Sequence, residues 1–293
     1  FEEIKNQKPK YLFVACDGYR KHIPDEEEKC RRVKDYVINN INWECEVKTN
    51  FLAENKGPAK AVAYFISWFF ENVEQGIILE HDCLPHPDFF SYCEDLLNYY
   101  KNNELISMIS GNNFLVKEKI NDYSYYLSKH PYIWGWATWA RTWKNYDVDR
   151  RFTNKAITEL LNRNFTSSHL KRHWKFRNHL LNKGFVNTWD LQLCFTVWLQ
   201  NTYCITPSVN LVSNIGFGKE AVHCTDKNNQ AAFLPIFSIL PLKHLKELAY
   251  HDFADVKYYK KFQYKSLVRY IVCLFIYYLR DLFNKIKTIK SLI

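Results

Sequence analysis

The stretch Gly76-Ile77-Ile78-Leu79-Glu80-His81-Asp82-Cys83-Leu84-Pro85-His86-Pro87-Asp88-Phe89-Phe90 restricts the fold more than any other part of the chain. A glycine-led apolar run that stops abruptly at polar side chains reads as a short strand buried on both faces. It delivers Glu80 and Asp82 to its carboxyl end. In open α/β sheets ligands sit beyond that end, and two nearby carboxylates can share a hard divalent cation that also takes phosphate oxygens. They can equally do no more than solvate a strand end. Pro85 and Pro87 bar helix until Asp88, which is placed to cap a helix running through Phe89 to Tyr100.

The chain reaches this stretch by alternation. Tyr11–Cys16 is an apolar run that ends at Asp17-Gly18-Tyr19-Arg20, a predicted strand and its loop. Asp25 to Ile41 opens acidic and carries Cys30, Val33, Val37 and Ile41 at helical spacing, so an amphipathic helix is expected. A second strand over Asn42 to Leu52, a turn-rich loop and an apolar helix over Ala59 to Asn72 follow. Strand-helix-strand-helix-strand is the pattern of a doubly wound half. A first strand ending in a small residue, Asp and Gly lets backbone approach a ligand closely, which makes Ala15, Asp17 and Arg20 candidate nucleotide contacts. Asp-Gly is also a common turn, and Arg20 can contact a phosphate or simply solvate the loop.

Beyond the acid pair, Leu105 to Gly111 reads as another buried strand. Tyr132 to Trp143 then places four tryptophans within ten residues, with Gly135 between two of the rings. Indoles suit the apolar faces of sugars and glycine admits close backbone approach, so Trp134, Gly135 and Trp136 are candidate sugar contacts; the alternative is an aromatic core cluster. Arg150 to Gly184 is basic and histidine-rich, readable as a nucleic-acid patch or as a solvated helical insertion, and no nucleic-acid motif accompanies it. Thr188 or Asp190 begins an apolar helix. The helix dipole there favours an ionised carboxylate, which suits a general base as well as a plain N-terminal cap.

Composition narrows the partners. A length of 293 residues with 47% hydrophobic content supports a substantial core. A formal net charge of +9 suits an anionic partner: nucleotide, nucleic acid or acidic membrane surface. The nine cysteines form no Cys-x-x-Cys pair, so neither a zinc ribbon nor a disulfide framework is indicated and a reducing, cytoplasmic setting is expected. The sequence opens on Phe1 without an apolar signal region. From Tyr264 to Ile293 apolar and basic residues mix, and the uncharged core Tyr270–Leu279 spans only ten residues, too few to cross a bilayer. That tail reads either as an interfacial amphipathic helix in peripheral contact with the inner membrane face or as a helix docked on protein.

Four ordered motifs carry a resemblance. Glu80-His81-Asp82-Cys83-Leu84-Pro85; Trp134-Gly135-Trp136-Ala137-Thr138-Trp139 followed by Trp143-Lys144-Asn145-Tyr146-Asp147; Trp189-Asp190-Leu191-Gln192; and Asn210 to Gly218 with His223 after it stand in sequence. Over roughly residues 10 to 255 the chain resembles GT-A-type nucleotide-sugar glycosyltransferases. It is most similar to the bacterial nucleotide-diphospho-sugar transferase, or hemolytic-protein-like, family. The resemblance implies an α/β, GT-A-like (Rossmann-like) mixed, mostly parallel central sheet flanked by helices over residues 1–255, with a basic amphipathic helical tail over 256–293.

It further implies a Mn2+ or Mg2+ ion held by Asp82 with Glu80 assisting and His223 supplying a nitrogen. Lys56, Gly57 and Lys60 would lie around the diphosphate, both lysines being equally readable as solvated, and Asp190 would be the base of an inverting transfer. The donor would be a nucleotide diphosphate sugar, UDP-sugars favoured, and the acceptor a glycan, lipid-linked or protein hydroxyl; no nucleic acid is expected. His81 departs from the family, which has an acid at that position between its two outer carboxylates. The departure keeps open a non-catalytic nucleotide- or glycan-binding protein on the same fold, and the basic 163–175 segment keeps open a nucleic-acid-binding protein.

Overall fold

A computed structural model describes residues 1–116, 118–218 and 230–263, with isolated positions between 272 and 279. The chain opens with α1 (Glu2–Gln7), β1 (Tyr11–Cys16), α2 (Glu26–Asn39), β2 (Glu46–Phe51), α3 (Pro58–Phe70) and β3 (Gln75–Ile78), so the expected alternation is present. Next come β4 (Cys83–Pro85), α4 (Asp88–Tyr99), β5 (Ile106–Ser110), β6 (Tyr125–Ser128), β7 (Trp136–Trp139) and α5 (Ala140–Trp143). They are followed by α6 (Asn154–Asn164), α7 (Ser168–Asn182), α8 (Asp190–Gln200), β8 (Tyr203–Pro207), β9 (Val212–Asn214) and α9 (Phe253–Tyr258), with a π-helical turn over Tyr259–Gln263.

The central sheet has five strands in the order β3-β7-β5-β8-β6 and helices flank it. The class is mixed α/β. β5 and β8 are parallel, while β3·β7, β5·β7 and β6·β8 are antiparallel, so the pairing is mixed where a mostly parallel ordering was expected. The reason lies in the aromatic segments. β7 comes from the tryptophan-rich run and enters between β3 and β5 against both, and β6 returns along β8; hydropathy marks such strands without giving their direction. β1 and β2 pair in parallel, Tyr11 with Glu46 through Cys16 with Phe51, as a separate ribbon.

β3 is half-buried at all four positions, not buried on both faces. Among the described residues it is an edge strand of the five, with ladder on its β7 side alone. The core lies deeper. Phe89, Tyr92, Cys93 and Leu96 of α4 pack on Ile106 and Ile109 of β5, Ala137 of β7 and Ile205 of β8. α8 is buried from Leu191 through Trp198, the all-round apolar pattern of a central helix.

Asp88 does not cap α4 with its side chain; Pro87 occupies the cap position. Its carboxylate instead accepts from Ser238 Oγ (2.6 Å) and from the amides of Ile239 (2.9 Å) and Leu240 (3.4 Å), fastening a segment distant in sequence to the helix start. Asp255 plays a similar part, accepting from Ser128 Oγ (2.5 Å), the Lys129 amide (2.9 Å) and Tyr250 Oη (2.9 Å).

By internal contacts the chain divides into Phe1–Arg150 with Asn187–Asp255, which holds every strand among the described residues, and Arg151–Val186 with Val256–Ile293, which holds α6 and α7. The basic 150–184 segment is thus largely helical, with Thr153 and Ser167 capping α6 and α7 through their hydroxyls. Most of 264–293, on which the interfacial-helix expectation rests, lies outside the described residues. Among the described residues no helix is long and apolar enough to cross a membrane.

Candidate active site

Glu80, His81 and Asp82 form the turn between β3 and β4, closed by the Cys83 amide donating to the Glu80 carbonyl at 3.0 Å. β4 pairs antiparallel with β9, Cys83 with Asn214 and Leu84 with Ser213. The ladder continues one step, because the Ile215 amide donates to the Asp82 carbonyl at 2.9 Å. This seats the Ile215-Gly216-Phe217 loop directly on the acid turn. A Cβ at Gly216 would come within 2.2 Å of Asp82 Oδ2, so only glycine lets the loop lie there.

Glu80 is half-buried, and among the described residues no hydrogen-bond donor meets its carboxylate. Burial first, then the charges of Asp82 and Asp190, push its carboxyl up to about 7. The neighbouring carboxylates of Glu80 and Asp82 are thus joined electrostatically by that of Asp190, more than 100 positions away in the sequence. Carboxylates that lack donors and repel each other are stabilised by a cation, which lets them ionise. Among the described residues no three His, Cys, Asp or Glu side chains are grouped to hold an ion by themselves. Glu80 and Asp82 suit an ion that keeps water or ligand oxygens in its shell, as Mg2+ does. His223 lies outside the described residues.

His81 is exposed, between the half-buried Glu80 and Asp82. Asp190 is the first residue of α8, where its carboxylate accepts a hydrogen bond from the Thr188 hydroxyl. Its neighbour Trp189 is braced on both sides: its ring stacks on Trp136 at 5.8 Å and its carbonyl accepts from Tyr146 Oη at 3.0 Å. Thr188 and Tyr146 are the residues that sequence reasoning left without a part in the site. The Thr-x-Asp spacing was visible as a signal; the Tyr146 contact spans 43 positions and was not.

The tryptophan run separates into two kinds. Trp136 is wholly buried against Trp143 and Trp189, so the expected stacking of its ring on a sugar does not hold for this arrangement; an interior β7 position turns it into the core. Trp134 is half-buried, edge-on to Phe114 at 4.7 Å and to Phe217 at 5.9 Å, which places it beside the loop resting on Asp82. Gly135 is buried, with φ of +63°, in the left-handed region.

The first loop is organised differently from expectation. Asp17 is occupied by the protein itself: Oδ1 accepts from the amides of Gly18 (2.8 Å) and Lys56 (2.9 Å), and Oδ2 from the Gly57 amide and Asn55 Nδ2 (both 3.0 Å). It joins the loop after β1 to the loop before α3. A Cβ on Gly18 would fall 2.2 Å from the Glu54 carbonyl carbon, a measure of how closely the two loops pack. Arg20 forks onto Glu26 through Nε (2.9 Å) and Nη2, and that hydrogen-bonded pairing drives the Glu26 carboxyl down to about 2. Lys56 and Lys60 are exposed, the former with Nζ 5.6 Å from the centre of the Tyr64 ring, and Ala15 is exposed on β1.

Neither of two cavities, about 10 Å³ beside Ser167 and His173 and about 450 Å³ beside Tyr146 and Arg150, is lined by Glu80, Asp82 or Asp190. The acid turn is singled out by its carboxylate chemistry. In comparisons with known proteins, the chain matches no family model and no curated relative.

Proposed function

We propose that the chain is a metal-dependent glycosyltransferase of GT-A-like architecture. It would move a sugar from a nucleotide diphosphate sugar, UDP-linked by preference, to an acceptor hydroxyl on a glycan, lipid-linked or protein substrate in glycoconjugate synthesis. The observation that carries this reading is Glu80, half-buried, without a donor among the described residues, and pushed up to about 7 by burial and by the charges of Asp82 and Asp190. A fold has little reason to keep such a group for stability, since burying Glu80 costs desolvation and the charges of Asp82 and Asp190 oppose its ionisation. A cation-binding site does.

Glu80 and Asp82 would hold Mn2+ or Mg2+, which when bound supplies positive charge to a leaving diphosphate. Asp190, kept in one orientation by the Thr188 hydroxyl, takes the proton of the acceptor hydroxyl as it attacks the anomeric carbon from the side opposite the diphosphate, giving inversion. Trp134 and the Phe217 loop provide the apolar wall beside the acid turn. Asp17 holds the amides of Lys56 and Gly57 in place and so shapes the neighbouring loop rather than touching the donor. The expected setting is cytoplasmic, at the inner membrane face.

The test is donor hydrolysis and thermal stabilisation over a panel of UDP-, GDP- and dTDP-sugars, with and without Mn2+, for the wild type, Asp82→Ala and Asp190→Asn. Mn2+-dependent stabilisation by one nucleotide class, lost in Asp82→Ala and retained in Asp190→Asn with turnover reduced about 100-fold or more, is the expected result. No response to any nucleotide sugar overturns the reading.

A further inference from the structure

The 450 Å³ cavity noted above lies between the segment after α5 and the outer turns of α8, and is lined by Lys144, Asn145, Tyr146, Arg150, Thr196, Leu199 and Gln200. Its volume falls within the range of small-molecule sites, roughly 300–1,000 Å³. Among the described residues two cations and no carboxylate line it, and a concave wall of one sign concentrates field lines and counter-ions. Neither cation is assigned a role by the acid-turn reading.

The wall is built. Arg150 is half-buried and oriented by the Asn145 carbonyl (2.9 Å) and by Asp147, 4.0 Å away and outside the lining. Gln200 Nε2 is held by the Thr196 carbonyl at 3.3 Å, and Tyr146 lies flat on Trp143 at 4.0 Å. Lys144 is exposed and forms no ion pair among the described residues. A guanidinium held in place and an exposed ammonium lining the same cavity suit a dianionic phosphate, the first by directed hydrogen bonds and the second as a point charge. Leu199 and the Tyr146 ring provide apolar surface for the organic part of such a ligand.

We propose that this cavity is a second ligand site, for a small phosphate monoester, with Lys144 and Arg150 as its cations. It communicates with the acid turn through one residue. Tyr146 forms its wall and donates its hydroxyl to the Trp189 carbonyl, next to Asp190, so a phosphate monoester seated against Tyr146 bears on the residue that places Asp190. Binding itself does not depend on the glycosyltransferase reading.

The experiment is calorimetric titration of the full chain with glucose 1-phosphate, and with glucose as the neutral control, in EDTA so that a metal-assisted diphosphate site is silent. Saturable binding of glucose 1-phosphate but not glucose is expected, weakened about tenfold or more by Lys144→Gln and by Arg150→Gln and unchanged in Asp82→Ala. Binding that survives both cation substitutions, binding lost in Asp82→Ala, equal binding of glucose, or no binding to the wild type overturns the proposal. Should Arg150→Gln fail to fold, Lys144→Gln, on an exposed side chain, decides alone.

Discussion

Asp17 and Glu80 stand at equivalent places, each just past the carboxyl end of a strand in the same strand-helix alternation, and their surroundings are opposite. Four donors surround Asp17, three of them backbone amides, and its carboxylate joins two loops. Among the described residues Glu80 meets no donor, and the charges of Asp82 and Asp190 oppose its ionisation. Asp88 and Asp255 belong with Asp17, each gathering donors from segments remote in sequence. One set of carboxylates holds the chain together; the other is held together by the chain, against its own repulsion. Stability and function should therefore separate on substitution.

The largest effect should come from Asp255→Ala, which removes the buried carboxylate that accepts from Ser128, Lys129 and Tyr250 and should lower unfolding stability by about 3 kcal/mol in urea titration. Asp255 also gives the contrast a pH signature. Burial pushes its carboxyl up to about 6 despite hydrogen bonds from Ser128, Lys129 and Tyr250. A group whose pKa is raised on folding contributes stability that is full below the ordinary aspartate pKa of about 4 and lost as pH rises through the folded value. Wild-type stability should thus fall between about pH 4 and pH 6 relative to Asp255→Asn, whose curve lacks that drop. Parallel curves for the two proteins would remove Asp255 from the account.

Asp17→Ala comes next, at about 1.5 kcal/mol, because its loops keep some access to water that replaces the lost acceptor. An unchanged melting temperature in that variant, together with lost nucleotide binding, would break the comparison by making Asp17 a ligand group after all. Glu80→Gln should move stability the other way, raising it by about 1 kcal/mol at pH 8 through relief of desolvation and repulsion, while Mn2+-dependent binding of nucleotide sugar disappears. A destabilised Glu80→Gln would place Glu80 among the structural clamps. His81→Asp is expected to do least: the side chain is exposed, and an exposed charge is worth about 1 kcal/mol or less, so Mn2+ affinity should rise less than about fivefold by titration calorimetry. A larger gain would mean that position 81 reaches the ion.

Much of this was legible without coordinates because it is written in local chemistry. The run Tyr11–Cys16 and the spacing through Asp25–Ile41 located β1 and α2, and Pro87 marked the start of α4. Tyr125–Ser128 and Tyr203–Pro207 were not foreseen as strands, and together they form one side of the central sheet. Asp88 was read as a cap because a cap is the local use of an aspartate at a helix start; its partners turned out to be 150 to 152 residues away. Trp136 and Trp134 look alike in sequence, and the β7 register alone buries the one and leaves the other beside the acid turn.

By itself, then, the sequence determined which segments are helix or strand near the amino end, where the acid turn falls, and which residue types it offers. Those follow from steric limits, hydropathy period and turn chemistry, which act over a few residues. The tertiary structure alone decided which carboxylates are satisfied and which are not. That depends on donors brought from elsewhere, the Lys56 and Gly57 amides to Asp17 and none among the described residues to Glu80, and on charges such as Asp190 that only chain folding sets beside Glu80. Hydrogen bonds and Coulomb repulsion act through space, so their balance at a carboxylate is a property of the fold.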